Sequence, residues 1–143
     1  MEKKNVAYMN TTVLAFLGDS VYETYVRNHV IAAGQVNADL LHKAAVRFVR
    51  ADAQAGALKE LMDELTDEEQ GLVKRARNKK ISTKPKNADP VVYKWATAFE
   101  ALIGFLYLTE DHVRMDEIIR KTIGIIEQKK LERQTIKVIR EIQ

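Results

Sequence analysis

The chain lacks cysteine altogether and holds only two prolines and six glycines in 143 residues. Without cysteine, disulfides and thiolate metal sites are excluded, and the sequence carries no mark of redox compartment. The scarcity of breakers argues against a turn-rich β fold. No apolar run reaches the roughly 18 residues that span a bilayer. The opening Met1-Glu2-Lys3-Lys4-Asn5 lacks the apolar stretch of a secretory signal, so the expected compartment is the cytoplasm, with no membrane partner. Nor is there a glycine-rich phosphate loop or a defensible Ser/His/Asp set. His29, His42 and His112 lack ligand spacing, and no organic cofactor is expected.

What is present points to one all-α domain. Hydrophobic content of 46% and charged content of 30% are ordinary for a globular chain. No repeat or linker divides it, so the expectation is a single domain over 1–143, with a core at about 10–127 and a helical extension at about 128–143. A first helix is expected from Asn10 or Thr11 to Ala33-Gly34, with Leu14, Leu17, Val21, Tyr25 and Ile31 as its buried stripe. Asn37 caps a second, bearing Leu40, Leu41, Ala44, Ala45 and Phe48, which continues or breaks near Ala51-Asp52 and runs to about Leu65. Thr66 and Glu69 form a capping box for the next helix, to about Asn78. Residues 79–88 are expected as a loop, and Asp89-Pro90 opens a helix to about Leu108. The last helix covers about Glu110 to Ile142, with a break at Gly124 or Lys129-Lys130 and weak alternation near Thr135 to Ile142.

Charge is unevenly placed. From Lys59 to Glu69 there are six acids and one lysine, whereas from Lys74 to Lys86 there are seven cations (Lys74, Arg75, Arg77, Lys79, Lys80, Lys84, Lys86) and no acid. Such a segment suits a polyanion, although most isolated charge runs are solvated surface. Arg75 and Arg77 diverge on a helix, while Asn78 lies one turn from Arg75.

Two helical segments carry an acid inside an apolar run: Leu14-Ala15-Phe16-Leu17-Gly18-Asp19-Ser20-Val21-Tyr22-Glu23, and Thr97-Ala98-Phe99-Glu100-Ala101-Leu102-Ile103-Gly104-Phe105-Leu106-Tyr107-Leu108. A carboxylate there costs free energy unless its charge is matched. If the helices pack through their apolar sides, Asp19 and Glu100 meet, and Gly18 and Gly104 permit close backbones. Two carboxylates plus waters suit Mg²⁺, with Mn²⁺ as a substitute. The alternative is that each acid sits at the edge of its stripe, facing water. Glu23 shares the Asp19 face and is a candidate supplement.

The first segment resembles the Leu-Glu-Phe-Leu-Gly-Asp-Ser/Ala-Val/Ile motif of the ribonuclease III catalytic domain, and Phe99 to Leu108 resembles its Phe-Glu-Ala-x-Ile-Gly-Ala-x-Tyr-Leu motif. The resemblance covers roughly residues 10–127. Too few residues follow to make a double-stranded RNA-binding domain. Arg75-Ala76-Arg77-Asn78-Lys79-Lys80 and Pro85-Lys86-Asn87 are similar to the short Mini-ribonuclease III subgroup. The resemblance implies a cytoplasmic, homodimeric, Mg²⁺-dependent endonuclease acting on double-stranded RNA in the maturation of the large-subunit (23S) ribosomal RNA precursor. It assigns catalysis and metal binding to Asp19 and Glu100. Thr12, Ala15 and Thr97 stand where the family usually has acids, so the metal count stays open; Thr97 is one turn from Glu100 and so is placed to orient a water.

The resemblance also pairs protomers through the first motif, with Phe16 inserted into the partner; on the residues alone Phe16 reads equally as core. Duplex RNA is recognised largely through shape and backbone, so the 74–86 cluster would contact phosphates. Trp95, Tyr93 and Tyr107 are expected in packing rather than in base stacking. The rival from another class is a catalytically inert RNA-binding or ribosome-assembly module, favoured by the lost acids. A helical protein-interaction domain leaves the basic run unexplained.

Overall fold

The structure is a computed structural model that describes residues 1–80 and 84–143. Among the described residues seven helices follow one another: α1 (Lys3–Ala7), α2 (Thr11–Ala32), α3 (Ala38–Val49), α4 (Ala51–Leu61), α5 (Asp67–Asn78), α6 (Pro90–Leu108) and α7 (His112–Ile142), with a 3-10 turn at Met62–Glu64. No strand occurs among the described residues. Ile81, Ser82 and Thr83, within the expected loop, lie outside them.

Local chemistry sets the boundaries. The Asn10 side chain accepts from Thr12 N at the start of α2, and Gly34, at φ 97°, takes the left-handed turn that ends it. Asn37 caps α3, and extended backbone at Arg50 breaks the chain before α4. Thr66 and Glu69 complete the capping box of α5. Asp89 and Pro90 open α6. At its end Glu110 adopts φ 61°, while the amides of Glu110 and Asp111 donate to the carbonyls of Tyr107 and Leu106. This turn puts the start of α7 at His112, two residues later than expected, with Asp111 as cap.

Helix α6 is the axis of the domain. Its principal neighbours are α2, α4 and α5, and an unbroken run from Ala101 to Leu106 is buried. By length and mean composition α6 is apolar enough to cross a bilayer, although Lys94 and Glu100 interrupt its apolar run. Half of this helix is buried in the domain, where its apolar residues meet the core.

Two further expectations need correction. The buried stripe of α2 is Leu14, Ala15, Gly18, Tyr22, Val26 and Val30; Leu17, Val21 and Tyr25 are half-buried, and Ile31 is 59% exposed. The stripe follows the glycine that admits α6, with Tyr22 set edge-on to Phe99 at 4.8 Å between ring centres. Helix α7 is unbroken over 31 residues, including Thr135 to Ile142. Gly124 faces open space and costs only about 1 kcal/mol in a helix interior, too little to stop a helix anchored by Ile118, Ile119, Ile123 and Ile126.

One buried ion pair fastens α5 to α7. Glu69, 3% exposed, accepts from Arg114 Nη2 at 2.8 Å and Nε at 2.9 Å. Burial alone would push this carboxyl up; Arg114 and Thr66 outweigh it and hold it below its usual range.

Candidate active site

Asp19 on α2 and Glu100 on α6 meet where these two helices touch backbone to backbone. A Cβ on Gly18 would lie 1.7 Å from the carbonyl oxygen of Glu100, and one on Gly104 would lie 2.0 Å from that of Leu14. Only glycine fits at either point, so each glycine admits the other helix's main chain. Asp19 follows Gly18, and Glu100 is the very residue whose backbone Gly18 meets; the crossing therefore sets the two carboxyls side by side.

The Glu100 carboxyl lies close enough to Asp19 for each to act on the other's charge. Burial first, and the adjacent Asp19 second, push Glu100 up to about 9. Asp19 itself is exposed, so the pair opens to solvent on the α2 side. Without a cation, a proton on Glu100 relieves the like-charge contact at neutral pH. The alternative of two acids facing water separately is thus not what the fold builds.

The donor set is oxygen only and has two protein carboxylates. Among the described residues no group of three or more His, Cys, Asp and Glu is placed to hold a metal. This set fits a hard cation that keeps several waters, as Mg²⁺ does. Glu23 does not supplement it: its carboxylate pairs with Arg27 at 3.1 Å, one turn further along α2. Thr97 donates its hydroxyl to the Tyr93 carbonyl at 2.9 Å, leaving its lone pairs to accept. Ala15 is buried. Thr12 Oγ1 accepts from Lys79 Nζ at 2.9 Å, and the same amine meets Asn10 Oδ1.

That lysine contact was not legible in the sequence, because the partners are 67 residues apart. It ties the root of the basic segment to the start of the helix that carries Asp19. Lys74, Arg75, Asn78, Lys79, Lys80, Lys84 and Lys86 are exposed. Arg77 is half-buried, its guanidinium 4.4 Å from the centre of the Trp95 ring, so Arg75 and Arg77 do diverge. Lys84 Nζ donates to the Ala88 carbonyl at 3.2 Å. Trp95 packs against the core beneath Arg77, Tyr93 is half-buried, and Tyr107 is exposed beside His112. Phe16 is not a core residue: it is 83% exposed, one turn before Asp19, with Val13, another turn back, 49% exposed.

The sequence pattern of the Ribonuclease III domain matches residues 12–111. The Mini-ribonuclease 3 of Brevibacillus brevis is 52% identical over 118 residues, 82% of this chain and 88% of that one. The Mini-ribonuclease 3 of a Thermoanaerobacter species is 39% identical over 128 residues, 90% of each chain. A crystal structure of a protein from Fusobacterium nucleatum, 33% identical, superposes with a TM-score of 0.74 over 82% of this chain and 93% of that one. The helical fold and these likenesses together make the chain an RNA-cutting hydrolase. The chain belongs to the ribonuclease III family, as an endoribonuclease of the Mini-ribonuclease 3 kind.

Proposed function

We propose that this endoribonuclease is a Mg²⁺-dependent homodimer that cuts double-stranded RNA in the cytoplasm, with the precursor of large-subunit ribosomal RNA as its substrate. The observation that carries the metal requirement is the Asp19–Glu100 juxtaposition: two carboxyls brought together, one of them pushed up to about 9, with no cation partner among the described residues. Asp19 and Glu100 would hold the ion, directly or through waters. When bound, Mg²⁺ supplies hydroxide near neutral pH and neutralises charge on the scissile phosphate.

The chain's own residues do the rest. Glu100 gives up its proton to enter the ionised pair, which couples metal affinity to pH. Thr97, its proton committed to Tyr93, offers an acceptor one turn before Glu100. Lys74, Arg75, Lys79, Lys80, Lys84 and Lys86, with Asn78, meet the phosphates of the duplex; Arg77 stiffens the segment against Trp95. Phe16, exposed beside Asp19, pairs with a second copy, so that two sites face one duplex. The ribosomal substrate is inferred from the Arg75 to Lys86 resemblance to the short subgroup.

The rival is an inert RNA-binding module. What favours it is the missing third carboxylate, with Lys79 on Thr12 and a buried Ala15 where the family has acids. What disfavours it is the retained pair, because an inert scaffold gains nothing from a half-buried carboxyl set against another. Asp19→Asn and Glu100→Gln decide between them: both fold, and both lose cleavage under the proposal, while full cleavage by either refutes the assignment.

A further inference from the structure

A second cationic surface lies on residues that none of the preceding assignments use. The corner between α3 and α4 faces α7 across a cleft of about 170 Å³ lined by Arg47, Arg50, Lys129, Lys130 and Arg133, with Asp52 as its one acid. Asp52 is engaged by Arg50 at 3.2 Å, and Lys129 reaches Glu60 at 3.3 Å. Arg47 lies over the Phe48 ring at 5.4 Å. Among the described residues neither Arg47, Lys130 nor Arg133 has a carboxylate partner. Three cations converging without acids favour an anion between them.

The cleft does not end at the body of the domain. Lys130, Arg133, Lys137 and Arg140 recur at three- and four-residue spacing on α7, which places them on one face of a helix whose residues from Leu131 onward are all exposed. That row is about 15 Å long at 1.5 Å per residue. A single small anion needs a closed pocket with few ligands; a row of exposed cations suits a polyanion that releases counterions along its length. Ile136 and one acid, Glu141, lie beside Arg133, Lys137 and Arg140 along this row, so cations outnumber acids there, while Leu131, Val138 and Ile142 occupy the other side of α7. A lipid surface would engage α7 alone, whereas the concave corner adds Arg47 and Arg50 from the body, as a nucleic-acid strand lying in a groove requires. The Ribonuclease III domain match ends at residue 111, so all of α7 lies beyond it.

We propose that Arg47, Lys130 and Arg133, continued by Lys137 and Arg140, form a second contact for the phosphate backbone of the RNA substrate, separate from the carboxylate pair and from the 74–86 segment. This rests on the reading that the substrate is duplex RNA.

The test compares the full chain with a Lys130→Gln/Arg133→Gln/Lys137→Gln variant. Binding of a duplex RNA of about 30 base pairs is measured in EDTA from about 50 to 200 mM salt, and cleavage kinetics in Mg²⁺. The expected result is a loss of roughly tenfold in affinity, a salt slope shallower by about two to three, a raised KM and an unchanged kcat. A charge-retaining Lys130→Arg/Arg133→Lys/Lys137→Arg variant should keep the original slope, which a merely structural role would not explain. Arg47→Gln, on the body, should show a smaller shift in the same direction. Equal slopes and equal KM overturn the inference, and so does a loss of anionic-vesicle binding with no change toward RNA. The two readings fail separately: a wild-type chain that binds without cutting sinks the nuclease proposal and leaves the slope comparison valid, whereas one that cuts, with a neutral triple variant, sinks only this contact.

Discussion

At the scale of the residue, Glu100 carries the account. Its carboxyl is pushed up to about 9 by burial and by Asp19. An acid whose folded value is raised binds its proton more tightly when folded. The associated penalty is absent below its ordinary value of 4.5 and grows as pH rises toward about 9. In EDTA, the wild-type chain should therefore lose thermal stability between pH 5 and pH 8 on account of this group, and Glu100→Gln should not. The two should melt alike near pH 5, and the variant should be more stable by roughly 1–3 kcal/mol near pH 8 in calorimetry. Mg²⁺ should raise the melting temperature of the wild-type chain and leave that of the variant unmoved. Equal pH dependence in the two proteins would contradict the shared-proton description. The sequence exposed the residue, as an acid in an apolar run, and its partner by the family spacing. The Glu23–Arg27 pair stands at i,i+4 spacing and leaves a trace in the sequence, whereas the reach of Lys79 to Thr12, 67 residues away, leaves none.

At the scale of the element, some glycines are demanded by the packing and others, Gly124 among them, are merely tolerated. Gly18 and Gly104 sit where any Cβ would enter the opposing backbone. Gly18→Ala should cost at least about 3 kcal/mol in chemical denaturation, and it should uncouple Asp19 from Glu100. Gly124→Ala should stabilise by about 0.5–1 kcal/mol, because its Cβ would meet open space in the middle of α7. The reverse ranking would contradict the packing. Helix boundaries were legible where capping chemistry is local, at Asn10, Asn37, Thr66 and Asp89. They were not legible where a tertiary contact decides. The face of α2 was misphased because a glycine, silent in a hydrophobic pattern, is its closest contact point. The start of α7 was displaced by a left-handed Glu110, a residue with no strong turn preference.

At the scale of the molecule, function depends on what the domain presents outward. Phe16 and Val13 leave an apolar patch one turn from Asp19, which the proposed second copy covers. Phe16→Asp should shift the chain from dimer to monomer in light scattering at micromolar concentration, lower cleavage along with it, and leave helix content by circular dichroism unchanged. A variant that stays dimeric would remove Phe16 from the interface. The all-helical architecture was legible from composition and periodicity alone. The route of the basic segment past α2 and the second cationic row along α7 were not, because each joins parts of the chain far apart in sequence.

The most direct measurement is cleavage of a long double-stranded RNA at low salt by the wild-type chain, in Mg²⁺ and in EDTA, beside Asp19→Asn. The account predicts fragments only from the wild-type chain in Mg²⁺. Cleavage that persists in EDTA or in Asp19→Asn would contradict the carboxylate pair as the metal-holding centre, and salt-sensitive binding with no cleavage in Mg²⁺ would turn the reading to the inert RNA-binding module.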